Sequence, residues 1–287
     1  MGGKNICVVT VFVDGVEEVD MIPKIIHYCW FGGAALPKEY ESYLDSWKYY
    51  CPDYEIKRWD ETNFDLECCQ YVKEAYQSKK WAFVADYARF FILYKYGGIY
   101  FDTDVEILRP LDDLLKLGNF MGMEYYENGV AIAPGLGLAA ESGLKFYKDM
   151  LNLYEQISFY NKDGSLNTKT VVEYTTEMMA KYGNLTNNKI NKICNINIFP
   201  VEYFCPMNSA TGEINITDKT YTIHHYSGSW MDWENRFYYY TKRKFAGSQY
   251  KQILIMIIFF PLRLYGKIKL LGLKKTCSLI IKHLVGK

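Results

Sequence analysis

From Lys24 the chain reads "KIIHYCW", a β-branched and aromatic run closed by "FGG", and this pattern predicts a strand ending in a glycine turn. The apolar spacing then lengthens. Tyr43, Leu44 and Trp47 recur at helical intervals within "LPKEYESYLDSWKYYCP", with proline at each boundary, which predicts a helix over Lys38–Tyr50. Alternation returns in "YEIKRWD", a second strand over Tyr54–Asp60. A β-α-β opening implies a parallel pair and a sheet of nucleotide-binding type.

Two further helices are expected, over residues 64–79 and Lys80–Tyr96, the second stopped by Gly97 and Gly98. The "IYF" that follows is short and wholly apolar, as a central strand is. Asp102 falls at its C-terminal end, where open α/β sheets bind their ligands. Phe120–Leu138 reads as a glycine-rich strand and loop system able to line a pocket. Ser142–Tyr160 and Thr170–Tyr182 read as helices, and "NIFPVEYFCP" and "YTIHHYSGSW" as late strands ending in turns.

A chain of 287 residues accommodates one α/β domain with an appendage. Its 27 Tyr, 16 Phe and 6 Trp suit a site that stacks rings or sugars, and suit a core equally. The formal net charge of zero hides an asymmetry. Of 33 basic residues, 11 lie in 241–287 beside no Asp or Glu, which leaves 22 against 33 acidic residues in 1–240. An acidic main body argues against nucleic acid as a partner.

The basic tail is also apolar. Its run Ile253–Phe260 is too short to span a bilayer and ends at Pro261. Lys and Arg interleaved with apolar residues predict helices lying on an anionic membrane surface, the alternative being a helix packed on the main domain. The expected organisation is an N-terminal extension at 1–20, a catalytic domain at 21–240 and a membrane-associating tail at 241–287. The extension lacks the apolar core and cleavage site of a signal peptide. The eight cysteines have no metal-binding spacing and read as reduced, structural thiols of a cytosolic protein.

The chemistry concentrates in "GGIYFDTDVEIL". In an extended segment alternate side chains share a face, so Asp102 and Asp104 would reach one site from Cα atoms roughly 6–7 Å apart. A hard divalent cation would cure their repulsion and neutralise a leaving diphosphate. Taken alone, the motif fits a solvated turn equally well. In the preceding helix Asp86 and Arg89 stand three apart on one face. A charged pair in so apolar a helix must be satisfied by its own members and neighbouring backbone, or by a polar ligand.

"IPKIIHYCWFGG", "CPDYEIKRWDE", "WAFVADYARFFILYKYGGIYFDTDVEIL" and "HHYSGSW" run in one order over residues 22–230. Together they resemble the sugar-binding DXD glycosyltransferases of family 32, which have relatives among the yeast initiating mannosyltransferases and, more distantly, the clostridial glucosylating toxins. The resemblance implies an α/β GT-A fold, a mixed and mostly parallel sheet flanked by helices, here followed by the basic helical tail. It also implies a UDP- or GDP-sugar donor, Mn²⁺ or Mg²⁺, and retention of anomeric configuration. Carried over by position, Asp86, Arg89, Asp102 and Asp104 form the catalytic set. Asp86 and Arg89 would hold donor-sugar hydroxyls and the phosphate side, Asp102 ribose and sugar or the metal through water, and Asp104 the metal directly.

By the same resemblance Trp30 would stack on the base, Tyr100 would lie beside the nucleotide, and Ser229 and Trp230 would close over the diphosphate. Without it, Trp30 and Trp230 read as core packing. A further metal ligand is expected from His224 or His225, which face opposite ways if the segment is a strand.

No carboxylate has a clear claim to act as nucleophile. The expected route is therefore front-face, the departing phosphate helping to deprotonate the acceptor. Tail and resemblance together point to a saccharide or lipid-linked oligosaccharide acceptor in capsule, O-antigen or other surface polysaccharide synthesis. The protein would be cytoplasmic and peripheral at the inner face of a bacterial plasma membrane. Two other classes compete: a metal-dependent phosphohydrolase using Asp102 and Asp104, and a non-catalytic sugar- or membrane-binding protein.

Overall fold

Strands β1 (Ile25–Cys29) and β2 (Glu55–Trp59) enclose helix α1 (Lys38–Tyr50) and pair in parallel, Ile26 opposite Ile56, as the opening pattern predicts. Helix α1 buries Tyr40, Leu44 and Trp47, and the Trp47 indole N–H donates to the Val105 carbonyl at 2.7 Å. Residues 64–79 are not one helix. The Asp65 carboxylate accepts the Glu67 amide at 2.9 Å, a local bond that competes with helical pairing, and the shorter α2 (Gln70–Gln77) begins beyond it. Helix α3 (Trp81–Tyr96) is buried over most of its length, as a helix apolar on all sides requires.

Gly97 and Gly98 make the turn out of α3 with φ of 64° and 99°. A Cβ on Gly98 would stand 2.7 Å from the Ile25 carbonyl, so only glycine brings β3 (Gly98–Tyr100) against β1. His27 braces this turn, its Nδ1 accepting the Trp59 indole N–H at 3.1 Å and its Nε2 lying 3.0 Å from the Gly97 carbonyl. Burial lowers its pKa to about 4. The ring is therefore neutral, and Nε2–H is the donor to Gly97.

The chain continues through β4 (Val105–Ile107), α4 (Asp112–Leu115), β5 (Phe120–Tyr126), β6 (Gly129–Ile132), β7 (Leu138–Ala140), α5 (Lys145–Glu155) and α6 (Val171–Ala180). Then come β8 (Asn191–Ile193), β9 (Ile196–Phe199), α7 (Val201–Phe204), β10 (Thr222–His224) and α8 (Trp233–Lys244). The large sheet has the order β2-β1-β3-β7-β5-β9-β8, with β6 on β5. Its strand directions are mixed, and β1, β2, β3, β5 and β9 run the same way. Strand β3 is central, between β1 and β7.

Two late elements differ from expectation. "NIFPVEYFCP" is a strand only to Phe199, because Pro200, whose ring suits the start of a helix, leads into α7. Strand β10 does not join the large sheet; it pairs antiparallel with β4, Ile223 opposite Glu106. That two-stranded ribbon carries the site.

The computed structural model describes residues 22–126, 129–228, 231, 233–244, 257–261, 264–265 and 268. The extension at 1–20, Ser229, Trp230 and most of the tail lie outside the described residues. Helix α8 runs across the division expected between 240 and 241. The six described cysteines are free thiols. Among the described residues no helix is long and apolar enough to cross a membrane.

Candidate active site

Asp102 follows β3 at the C-terminal end of the central strand. The segment is not extended: the Val105 amide donates to the Asp102 carbonyl at 3.1 Å, closing a turn over 102–105. It is this turn, and not strand alternation, that brings the two carboxylates together. Asp102 Oδ1 accepts from the Tyr100 hydroxyl at 3.0 Å and lies 3.4 Å from Arg89 Nη2. Gly135 passes so close that any Cβ there would overlap Asp102 Oδ2.

Asp104 is held from the other side by the chain leaving β10. The His225 amide donates to the Asp104 carbonyl at 2.9 Å and the Ser227 amide to Oδ2 at 2.8 Å. His224 Nε2 lies 3.2 Å from Oδ1. Burial pushes the Asp104 carboxyl up, but His224 and the Ser227 amide overcome it and hold it at about 2. The His224 imidazole is the counterpart. Burial pulls it down, yet Asp104, Asp102 and Glu124 together raise its pKa above the ordinary value.

Ligand atoms of Asp102, Asp104 and His224 lie within 4.8 Å of one another. An ion bound at about 2.0–2.6 Å from each donor spans separations of that size. His224 Nδ1 is also buried without a hydrogen-bond partner, so the ring has a polar atom still to satisfy. The donor set, two carboxylates and an imidazole, fits Mn²⁺ or Mg²⁺, the imidazole favouring Mn²⁺.

His225 lies apart from this group. Its Nε2 lies 2.8 Å from Glu106 Oε2 and its ring stacks on Tyr43 at 4.4 Å. The two histidines do face opposite ways, His224 toward Asp104 and His225 toward Glu106.

Beneath the cluster, Arg89 Nη2 donates to Asp86 Oδ1 at 2.9 Å, Nε donates to the Ala85 carbonyl at 3.1 Å, and the guanidinium lies 4.9 Å from the Tyr100 ring centre. Arg89 therefore orients Asp86 and Asp102 directly, with Nη1 beside Gly135. Burial pushes the Asp86 carboxyl up to about 7, with Arg89 pulling the other way. The helix pair is thus both internally satisfied and placed at the site.

Trp30 is partly exposed at the end of β1, its N–H donating to the Ala34 carbonyl at 2.8 Å and its ring edge-on to Tyr40. Tyr40 in turn stacks on Tyr43, so an aromatic row runs from Trp30 to His225.

Residues 37–121 match the family described as "Glycosyltransferase sugar-binding region containing DXD motif". The match is confined to that segment of the 287-residue chain. The chain is similar to inositol phosphoceramide mannosyltransferase 3 of Schizosaccharomyces pombe, 38% identical over 102 residues that make up 33% of this chain and 27% of the relative. An uncharacterized glycosyltransferase of Acanthamoeba polyphaga mimivirus is 34% identical over 109 residues, 35% of this chain and 42% of that one. The chain therefore spans well under half the length of these relatives.

Among solved structures it is similar to the PaToxG glycosyltransferase, with 16% identity, a TM-score of 0.41, and coverage of 56% of this chain and 70% of that one. A glycosyltransferase involved in glycosylating the major capsid of PBCV-1 gives 12% identity and a TM-score of 0.41, covering 75% and 98%.

The matched segment holds Asp86, Arg89, Tyr100, Asp102 and Asp104. His224, Glu124 and Gly135 come from later in the chain. Glu124, at the outer end of β5, is a site residue that the sequence reading missed. Its Oε2 accepts from the Tyr226 hydroxyl at 2.9 Å, and burial raises its pKa. The available signal was an acid interrupting the apolar run "FMGME". Tyr226 itself has φ 50°, uncommon for a bulky residue, and its hydroxyl lies 2.8 Å from Cys205 Sγ. Its ring lies 4.3 Å from that of His224, so this held turn positions the imidazole.

Proposed function

We propose that the protein is a metal-dependent, retaining glycosyltransferase that moves a sugar from a nucleotide-sugar donor to a saccharide acceptor. The observation that carries this reading is the convergence of Asp102, Asp104 and His224 within 4.8 Å, beside the buried Asp86–Arg89 pair. Asp102, Asp104 and His224 would hold the cation, whose chemistry is to neutralise the donor diphosphate and the charge that grows on it as the sugar departs. Arg89 fixes Asp102 from below, and Asp86, whose pKa burial raises, suits hydrogen bonding to donor hydroxyls.

In the front-face route the bond from the anomeric carbon to the phosphate oxygen breaks and the acceptor oxygen bonds to that carbon on the same face. The acceptor proton passes to the departing phosphate. Arg89 is already held by Asp86 and Asp102, so its part in this route is to keep these groups prearranged.

The acceptor in this reading is a lipid-linked glycan of a surface polysaccharide, handled at the inner face of a bacterial plasma membrane. Its support is the basic, apolar tail and the similarity to a protein named for mannosylating a lipid. The experiment is to incubate the full chain with UDP- and GDP-sugars and Mn²⁺ in the absence of acceptor. Slow release of free sugar is expected. Cleavage of the diphosphate to a nucleoside monophosphate and a sugar 1-phosphate would instead mark a phosphohydrolase, and Mn²⁺-dependent binding without turnover a binding module.

A further inference from the structure

Among the described residues, helix α8 and the helical stretch 257–261 meet at Phe259. Phe259 packs between Phe237 and Tyr238, with ring centres at 5.3 Å and 6.1 Å, and Tyr238 and Phe259 form a small buried cluster of their own, separate from the main core. Around it the surface is apolar. Of seventeen exposed large apolar side chains among the described residues, seven fall between Phe237 and Tyr265. Ile257 is 61% exposed, Ile258 55% and Phe260 59%, so the helical stretch 257–261 has apolar side chains on every side but only one of them buried. A helix apolar all round calls for an apolar surrounding.

What surrounds it is indicated by charge. From Thr241 to Lys287 the chain has 11 Lys or Arg and no acid. Arg236 and Lys244 are exposed on α8 itself. Apolar side chains among concentrated positive charge match an anionic bilayer, where the rings and aliphatic groups enter the interface and the cations meet head groups. A second copy of this chain would bring the same positive charge against itself.

The face is also tied to the site. Arg243 Nε donates to the Ser209 carbonyl at 2.7 Å, and Nη1 reaches the His225 and Tyr226 carbonyls at 3.3 Å and 3.4 Å. These carbonyls belong to the turn that clamps Asp104. We propose that α8 and residues 257–261 form a docking face for an anionic lipid bilayer, fastened by Arg243 to the turn that follows His224 and clamps Asp104. Its use, presenting a lipid-carried acceptor to the site, rests on the glycosyltransferase reading; the docking itself does not.

The test is co-sedimentation of the full chain with vesicles of phosphatidylcholine alone or mixed with phosphatidylglycerol, with donor hydrolysis measured on the same samples. Binding is expected only to the mixed vesicles and is expected to weaken with salt. The double variant Phe237→Asp, Ile258→Asp, both at exposed positions, is expected to bind about tenfold or more weakly while hydrolysing donor as before. Unchanged vesicle binding by that variant, or no binding by the full chain at low salt, overturns the proposal. So does a stable dimer in sedimentation equilibrium that the same variant dissociates, since the face would then belong to a second copy. Vesicle binding without any donor hydrolysis would support docking while removing the transferase reading.

Discussion

At Gly135 one methyl group separates the site from the fold. Gly135→Ala places its Cβ in a backbone conformation open to alanine, yet that atom would overlap Asp102 Oδ2 and stand 2.8 Å from Asp102 Cγ and 3.5 Å from Arg89 Nη1. The Asp102 side chain is 31% exposed, so its carboxylate can swing toward solvent without forcing the backbone apart. It then loses the Tyr100 hydroxyl at 3.0 Å and Arg89 at 3.4 Å. Hydrogen bonds to charged groups contribute about 1.5–3 kcal/mol, but a carboxylate that regains water loses less, so the expected stability cost is about 1–2 kcal/mol. The site loses more, because Asp102 leaves the cation and the donor together. A loss of about 3 kcal/mol of transition-state stabilisation is about 10²-fold in rate. The assay is Mn²⁺-dependent sugar release with Mn²⁺ affinity by calorimetry. Gly129→Ala serves as the control, since its Cβ would meet nothing within 4 Å. A folded Gly135→Ala protein with wild-type turnover and Mn²⁺ affinity would refute the assignment of Asp102.

His224→Ala is expected to weaken Mn²⁺ binding by about 10²-fold or more, while His225→Ala, which removes only the contacts with Glu106 and Tyr43, leaves it unchanged; equal effects would cancel the distinction between them. Arg89→Lys should lower turnover by about 10²-fold, because a lysine cannot keep the contacts with Asp86 and Asp102 together with the Nε bond to the Ala85 carbonyl that fixes the planar guanidinium, and near-normal turnover would assign the pair to structure alone. Asp104→Asn should abolish metal-dependent nucleotide binding in a folded protein, as read by calorimetry and circular dichroism. The pH dependence has a definite sign. Asp104, depressed from 3.8 to about 2, contributes stability above its unfolded value that is lost as pH falls through about 2. His224, raised above 6.5, contributes stability that is full below 6.5 and lost as pH rises through its folded value. In the metal-free protein this pair therefore stabilises most between about pH 4 and 6.5, and Mn²⁺ affinity should climb as pH passes the His224 value. Denaturant titrations at a series of pH values, and a flat Mn²⁺ affinity above pH 6.5, would test and sink this in turn.

The elements most legible in the sequence are those whose own periodicity decides them. Helix α1 runs over Lys38–Tyr50 as its apolar spacing predicts, and the turn at Gly97 and Gly98 stops α3 where expected because no other residue fits against Ile25. Where a local side-chain bond competes with the pattern, the pattern misleads. Asp65 breaks residues 64–79, and Pro200 turns a continuous apolar run from strand to helix. Pairing partners are less legible still. Nothing within "YTIHHYSGSW" says that β10 leaves the large sheet for β4, since that choice depends on what the other strands leave unpaired.

The site divides along the same line. Asp86 and Arg89 are readable because three residues on a helix is a contact by geometry, wherever the helix sits. Asp102 and Asp104 are readable as a pair, but what joins them is a turn and not the alternation of a strand. His224 could be narrowed only to one of two neighbours, because alternation separates faces without saying which face meets Asp104; the turn over 102–105 decides it, placing Asp104 Oδ1 3.2 Å from His224 Nε2 and leaving His225 to Glu106. Glu124 and Gly135 stand 22 and 33 positions beyond Asp102 and reach it only through the β5–β7 part of the sheet. A residue that acts by lacking a side chain, as Gly135 does, becomes visible only when the atom it makes room for is in place. That is why the substitution that distinguishes site from scaffold most sharply lies outside the motif.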